Sequence, residues 1–279
     1  MFSSIKVRDY MSSPVTVVHS YDNLGYVKNL ILERKFHHFP VIGEHGKLLG
    51  IVSISDVLRA MARGGAPWRW RSWENHLVDR IMTPNPITIG TDDLLVEAAA
   101  KMTTRRISAL PVLSDGRLVG LLTKTDIVRA VADKIKGIVK VRDCMKRPVV
   151  LREGTPLKKA ARLLYTGKEE ALLVQLLNSF GILSESNIIF FGLDASKKYE
   201  VLDARSGRIS MDVKQRRVSE FVHKVDVFLS PEMDLSNASR LLLEWNVPGL
   251  PVVENKRLVG ILTKRGVVRG IYLACRGSG

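Results

Sequence analysis

The chain has 279 residues, of which 46% are hydrophobic and 25% are charged. This length suggests two domains with cores of ordinary size, and the composition argues against a disordered chain. Long apolar runs and an apolar secretion signal are missing from the sequence, so we expect a cytoplasmic protein without membrane spans. The two cysteines, Cys144 and Cys275, are too few for a disulfide framework or a zinc site.

The charge balance predicts a negatively charged partner. The 43 basic residues outnumber the 28 acidic ones, which gives a net charge of +15. Nucleotide phosphates, nucleic acid and acidic proteins are all partners of this kind. A generally basic, solvated surface explains the same excess, and the sequence does not decide between these interpretations.

The first part of the chain predicts one structural unit of about 60 residues. A short extended segment leads to an amphipathic helix over 24–35, whose apolar residues recur at intervals of three and four. Two apolar strands joined by a polar turn at 44–47 follow. A second helix closes the unit, and we expect Ser55 or the adjacent Asp56 to cap it.

The same β-α-β-β-α order returns three more times along the chain. The first helices of the later units are predicted over 95–106, 157–167 and 235–246, and Thr125 or the adjacent Asp126 is the expected cap in the second unit. Each unit also carries a hydrophobic anchor followed 36 to 39 residues later by a glycine. These pairs are Met11 and Gly50, Met82 and Gly120, Met145 and Gly181, and Val222 and Gly260.

This repeated pattern resembles the cystathionine-β-synthase (CBS) domain, which occurs in tandem pairs called Bateman modules. Four copies in one chain resemble the γ subunit of AMP-activated protein kinase and its stand-alone prokaryotic relatives. The resemblance implies an α/β (α+β) fold with four CBS repeats in two modules. Residues 1–139 form the first module, with repeats at about 7–63 and 78–136, and residues 140–279 the second, with repeats at about 141–195 and 218–275.

The resemblance also implies a non-catalytic sensor. Such a protein binds AMP, ADP, ATP or S-adenosylmethionine between paired repeats and passes the change to an effector protein or to the other half of a homodimer. We expect no enzyme activity, because the sequence shows no nucleophile–base arrangement, metal-ligand cluster or Walker loop.

The motif that carries the resemblance is Gly-h-x-Ser/Thr-x-x-Asp, where h is hydrophobic. The carboxylates of Asp56 and Asp126 can accept hydrogen bonds from ribose hydroxyls, which contribute roughly 1.5–3 kcal/mol each. The hydroxyls of Ser53 and Thr123, three residues earlier, can donate to a phosphate. Lys124 and Arg129 add positive charge nearby. The alternative is that both aspartates only cap their helices, for about 1 kcal/mol each.

In the family, a cleft combines residues from both repeats of a pair. The Asp56 cleft then joins Ser53 and Asp56 to Thr83, Ile87, Thr88, Ile107, Ser108 and Ala109. The Asp126 cleft joins Thr123 and Asp126 to Ser12, Val15, Thr16, Phe36, His37 and His38. His38 stands where the kinase subunits have arginine, so we expect a weaker and pH-dependent affinity for phosphate.

The second module departs from the motif. Repeat three has Ser184 with Asn187 in place of the aspartate, and repeat four has Thr263 with Gly266. We therefore expect weak binding in repeat three and no ribose contact at Gly266, or a second module that is purely structural. The repeat-three cleft would be completed by Val227, Phe228, Val247, Pro248 and Gly249.

Two other classes of function remain open. Trp68, Trp70 and Trp73 alternate with Arg69 and Arg71, a pattern that also occurs in proteins that bind single-stranded nucleic acid. The same segment is equally compatible with a linker or a dimer contact. A structural scaffold that retains relic clefts is the third possibility.

Overall fold

A computed structural model describes residues 4–62, 73–177, 179–193 and 216–276. Within these ranges the chain follows the predicted β-α-β-β-α order four times. In repeat four the first extended segment is reduced to a single parallel bridge between Leu229 and Val252. No helix of the described ranges is long and apolar enough to cross a membrane.

The elements of the first two repeats follow one another as predicted. Repeat one consists of β1 Val18–His19, α1 Leu24–Arg34, β2 His38–Ile42, β3 Leu48–Ser53 and α2 Ile54–Ala62. Repeat two consists of β4 Thr83–Pro84, β5 Ile89–Gly90, α3 Leu95–Arg105, β6 Ala109–Ser114, β7 Arg117–Thr123 and α4 Lys124–Lys134.

The later repeats keep the order with shorter strands in repeat three. Repeat three consists of α5 Val141–Cys144, β8 Val150–Arg152, α6 Leu157–Tyr165, β9 Leu172–Gln175, β10 Phe180–Leu183 and α7 Glu185–Leu193. Repeat four consists of β11 His223–Val225, α8 Leu235–Glu244, β12 Gly249–Glu254, β13 Arg257–Thr263 and α9 Lys264–Arg276.

Local chemistry explains where the first helix of a repeat begins and ends. The side chain of Asn23 accepts a hydrogen bond from the backbone N–H of Tyr26 at 2.9 Å and so caps α1. The helix ends at Lys35, whose left-handed φ of 58° stops further helical hydrogen bonding. Between these residues α1 buries Leu24, Val27, Leu30 and Ile31 at the expected spacing of three and four.

The second helix of a repeat begins earlier than the sequence suggested. In repeat two, Thr123 is the N-cap and α4 starts at Lys124, so the expectation of a cap at Thr125 is wrong by two residues. The helix α2 likewise starts at Ile54, before the expected caps at Ser55 and Asp56. The aspartate side chain reaches back to the end of the preceding strand, which lets the helix start directly at the strand end.

The sheets exchange strands between repeats. Strand β1 is parallel to β2, β2 is antiparallel to β3, and the outer strand β4 comes from repeat two, with Thr83 opposite Ile51. In return, Ser12 of repeat one forms a bridge with Leu121 of β7. Repeats three and four show the same exchange, because β11 pairs with β10 and Lys146 bridges Ile261. Each hairpin is therefore completed by the N-terminal segment of another repeat.

The described residues fall into two compact units. The first comprises residues 1–147 and 228–279, and the second comprises residues 148–227. In the first unit α3 packs against α9 and α4 packs against α8, so the helices of repeats two and four share one core. The division into modules at about residue 140 stays a prediction, since compactness does not test how repeats are paired.

Candidate functional site

Asp126 lies at the junction of β7 and α4 and is 3% exposed. Its Oδ2 atom accepts hydrogen bonds from Thr123 N at 2.8 Å and from Thr123 Oγ1 at 2.7 Å. Its Oδ1 atom accepts one from Arg129 Nη1 at 2.9 Å, and the Arg129 side chain is half exposed. The carboxylate therefore completes a capping box with the N-cap Thr123 and holds a surface arginine, so it stabilises the start of α4 as the capping interpretation of the motif expects.

Asp56 repeats this arrangement between β3 and α2. It is 6% exposed, and its Oδ2 atom accepts hydrogen bonds from Ser53 N at 2.8 Å and from Ser53 Oγ at 2.6 Å. Its Oδ1 atom pairs with the guanidinium of Arg59, whose side chain is 41% exposed. The sequence thus predicted two equivalent carboxylates, and the structure presents them in the same way.

The cap does not use all the acceptor capacity of either carboxylate. A carboxylate offers about four lone-pair positions. In Asp126, Oδ2 receives two donors, and within the part of the chain that the structure describes Oδ1 receives only Arg129. Because the arginine is half exposed and reaches solvent, it can turn away at small cost. A ribose hydroxyl can then bind at Oδ1 without disturbing the cap.

Repeat three keeps the cap with an amide. The Oδ1 atom of Asn187 accepts hydrogen bonds from Ser184 N at 2.9 Å and from Ser184 Oγ at 2.6 Å. The second position of this side chain is an NH₂ group, which donates and carries no charge. Asparagine therefore preserves the helix start and removes the acceptor that a ribose would use.

Repeat four has no room for a carboxylate side chain at Gly266, the position of the aspartate in the motif. Thr263 Oγ1 accepts a hydrogen bond from Gly266 N at 3.1 Å, which takes over the role of the missing cap. A β-carbon on Gly266 would lie 2.7 Å from the carbonyl oxygen of Cys144. The sequence showed that the carboxylate is absent, and the structure shows that the backbone of α5 fills its place.

The strand exchange brings the N-terminal segments next to the motifs predicted to share a cleft with them. Thr83 pairs with Ile51 in β3, two residues before Ser53. Ser12 bridges Leu121 in β7, two residues before Thr123. Each segment continues into further residues predicted for the same cleft. These are Ile87 and Thr88 after Thr83, and the half-buried Val15 and Thr16 after Ser12.

The other predicted cleft residues lie beside the motif of their own repeat. Ala109 pairs with Thr123, and Ser108 accepts a backbone hydrogen bond from Lys124 at 3.1 Å. Ile107 directly precedes them. Their assignment to the Asp56 cleft stays a prediction.

The backbones of the two predicted histidines also lie beside the motif of their own repeat. His38 pairs with Ser53, and the carbonyl of His37 accepts a hydrogen bond from Ile54 N at 2.9 Å. The charge of Lys124 acts on both imidazoles. The assignment of both histidines to the Asp126 cleft stays a prediction.

Both histidines are neutral at neutral pH. Desolvation by the surrounding groups, followed by the charges of Lys264 and Lys124, lowers the pKa of His37 to about 4, although His37 is exposed at the surface. Burial, followed by His37 and Lys124, lowers the pKa of His38 to about 3. The pH dependence expected for His38 is therefore displaced into the acid range.

One residue of this site was missed by the sequence analysis. The Nζ atom of Lys264, at the start of α9, donates a hydrogen bond to Thr125 Oγ1 at 3.2 Å. A signal existed, since Lys264 follows Thr263 as Lys124 follows Thr123. Its proximity to repeat two depends on the packing of α9 against α4, which the sequence does not reveal.

A family model described as the CBS domain matches residues 7–63, 78–133 and 218–272, which together make up more than half of the chain. The chain belongs to the CBS-domain family. This CBS-domain protein is also similar along most of its length to protein MJ1225 from Methanocaldococcus jannaschii, with 27% identity over 253 residues that cover 85% of this chain and 88% of that protein.

Solved structures confirm the fold of this CBS-domain protein. The crystal structure of MJ1225, a proposed archaeal homologue of the γ subunit of AMP-activated protein kinase, matches with a TM-score of 0.80 and 21% identity over 95% of this chain and 99% of that chain. An uncharacterized conserved protein from Pyrococcus horikoshii matches with a TM-score of 0.64 and 19% identity over 96% and 100% of the two chains. The family model thus confirms the predicted family, and the solved structures confirm the predicted fold class.

A shorter similarity connects this CBS-domain protein to an enzyme. The L-aspartate semialdehyde sulfurtransferase of Methanocaldococcus jannaschii is 32% identical over 129 residues, which are 46% of this chain. The same segment is 23% of the enzyme, so the chain matches less than a quarter of its length.

Proposed function

We propose that this CBS-domain protein is a non-catalytic sensor that binds adenosine nucleotides in the Asp56 and Asp126 clefts. In this proposal a nucleotide changes the packing of repeats one and two, and the change passes to an effector protein or to a second copy of the chain in a homodimer. The site of action would be the cytoplasm. Candidate ligands are AMP, ADP, ATP and S-adenosylmethionine, all of which share an adenosine with two ribose hydroxyls.

The observation that carries the proposal is the unfilled acceptor capacity of two buried carboxylates. Asp126 and Asp56 stand at equivalent strand–helix junctions, and each has a position on Oδ1 that a ribose hydroxyl can occupy. An uncharged amide is enough to stabilise the start of such a helix, as Asn187 shows in repeat three. The charged form in repeats one and two supports a role in binding polar ligands.

Exposed apolar side chains support a place for the adenine ring. Phe36 is 48% exposed and Ile87 is 38% exposed, and both lie on the segments predicted to form the clefts. Apolar surface of this kind gains about 25 cal/mol for each Å² that a flat ring removes from water. The clefts thus combine a polar end for the sugar with apolar surface for the base.

The comparisons support a regulatory role. The chain shares its fold over nearly its whole length with a proposed homologue of a kinase regulatory subunit. The segment shared with the sulfurtransferase is a small part of that enzyme, and we assign it no catalytic role.

Two other functions remain as alternatives to nucleotide sensing. A scaffold is the interpretation in which the carboxylates only cap helices, and the hydrogen bonds of Thr123 and Ser53 are compatible with it. The nucleic-acid alternative rests on Trp68, Trp70, Arg69 and Arg71, which lie outside the described residues, and on Trp73, whose side chain also does.

Calorimetric titration of the wild type and of Asp56→Asn and Asp126→Asn tests the proposal. Repeat three shows that asparagine preserves the cap, so each variant should fold and lose only the acceptor at Oδ1. We expect each substitution to weaken adenosine and AMP binding at its own cleft by about 10–100-fold.

Asp115→Asn is the matched control, because it removes the same charge from an exposed turn of repeat two. The wild type should also gain about 2.7 kcal/mol of stability at a ligand concentration one hundred times Kd. Unchanged affinity in both cleft variants contradicts the proposed sites. Unfolding curves that none of the four ligands shifts would favour the scaffold.

A further inference from the structure

Repeat four supplies a positive charge to the Asp126 cleft. The Nζ atom of Lys264, the first residue of α9, lies 3.2 Å from Thr125 Oγ1. Thr125 belongs to the first turn of α4 and directly precedes Asp126. Because α9 packs against α4 inside one compact unit, the lysine and the carboxylate are parts of the same body.

Several basic side chains come together at this point of the fold. Arg129 pairs with Asp126 at 2.9 Å, and both Lys124 and Lys264 lie close enough to His37 to disfavour its imidazolium form. Lys264 therefore lies within electrostatic reach of both Asp126 and Arg129. Burial lowers the pKa of Lys264, Arg129 lowers it further, and Asp126 opposes the decrease. A further anion in the cleft would stabilise the partly desolvated charge of Lys264.

The Asp56 cleft is built differently. Ile54 is the first residue of α2, in the position that Lys124 has in α4. Asp56 pairs with Arg59, so these two charges balance each other. The two clefts present equivalent carboxylates in different electrostatic surroundings.

We propose that Lys264 makes the Asp126 cleft selective for adenosine ligands that carry phosphate at the 5′ position. This inference rests on the proposed function, since it assigns a ligand class to one of the proposed clefts. A lysine is a compact point charge that suits phosphate oxygens, and its attraction is stronger in a partly desolvated cleft than in water. The same charge repels the sulfonium of S-adenosylmethionine. Lys264 is thus a specificity-determining residue contributed by the repeat that lost its own carboxylate.

The test compares ADP with uncharged adenosine in a protein with only the Asp126 cleft intact. Both ligands are titrated calorimetrically into Asp56→Asn and into Asp56→Asn with Lys264→Gln. We expect Lys264→Gln to weaken ADP binding about tenfold and to leave adenosine within twofold. We also expect ADP binding to become less sensitive to salt, and Lys264→Arg to keep most of the ADP affinity.

Lys256→Gln is the matched control, because it removes the same charge from an exposed turn of repeat four. ADP affinity that survives Lys264→Gln overturns the inference and leaves the proposed function intact. An equal loss of ADP and adenosine binding also overturns it, since the lysine would then only support the fold through Thr125. If neither ligand binds the wild type, the proposed function itself fails.

Discussion

Met11 and Gly120 touch across two repeats. A β-carbon on Gly120 would lie 2.7 Å from Met11 Sδ and 3.0 Å from the carbonyl oxygen of Ser12, so only glycine fits under the exchanged segment. The same contact recurs at the other exchanges: Met82 on Gly50, Met145 on Gly260, and Val222 on Gly181. The hydrophobic anchor of each repeat therefore packs against the glycine of another repeat's hairpin.

We predict that Gly120→Ala destabilises the protein by about 1–3 kcal/mol, because the new methyl group pushes Met11 and the Ser12 backbone away from β7. Denaturant unfolding measures the change. The double variant with Met11→Ala should recover part of the loss, since the flexible side chain is the nearer obstacle.

Gly154→Ala is the control, because its added methyl would meet no atom within 4 Å. Gly120→Ala and Gly154→Ala of equal stability would show that the exchanged segment does not press on the hairpin.

We predict different costs for two substitutions of Asp126. Asp126→Ala removes the acceptor for both Thr123 donors and should lower the free energy of unfolding by about 1–2 kcal/mol. Asp126→Asn should cost clearly less, because Asn187 makes the equivalent hydrogen bonds in repeat three. Chemical unfolding of both variants without ligand measures the effect on the helix start apart from any role in binding. Equal losses of unfolding free energy in the two variants would contradict the capping role of Asp126.

We predict that the protein loses stability in mild acid through His37 and His38. Both have folded-state pKa values below 6.5, so the unfolded chain binds more protons between that pH and about 4 for His37 or about 3 for His38. Their contribution is fully present above pH 6.5 and is lost as the pH falls. Protonating them would place cations beside Lys124 and Lys264.

Unfolding measured between pH 4 and 7 tests this, with the double variant His37→Gln and His38→Gln expected to show a flatter profile than the wild type. His45→Asn, at an exposed turn of repeat one, is the control. If the double variant keeps the acid sensitivity of the wild type, other groups cause it.

Local features of the fold followed from the sequence. The helices that begin at Leu24, Leu95, Leu157 and Leu235 start where the periodicity predicted, because apolar spacing reports the buried face directly. The polar turn between β6 and β7 has left-handed angles at Asp115 and Gly116, with φ of 48° and 75°.

Features that depend on distant packing did not follow from the sequence. The interval between Met11 and Gly50 revealed a repeat, whereas the methionine actually packs on Gly120. Lys264 lies beside Thr125 only because α9 packs on α4. The lack of space for a side chain at Gly266 likewise depends on the position of the Cys144 carbonyl group. A pattern along one chain specifies elements, and contacts between elements decide which side chains share a site.

A crystal grown with saturating AMP is the most direct measurement of whether these carboxylates hold a nucleoside. The account predicts nucleotide in both clefts, with ribose hydroxyls about 2.6–3.0 Å from the carboxylate oxygens of Asp56 and Asp126. Nucleotide bound elsewhere on the protein, with both carboxylates still held only by their serine or threonine and arginine partners, would contradict it.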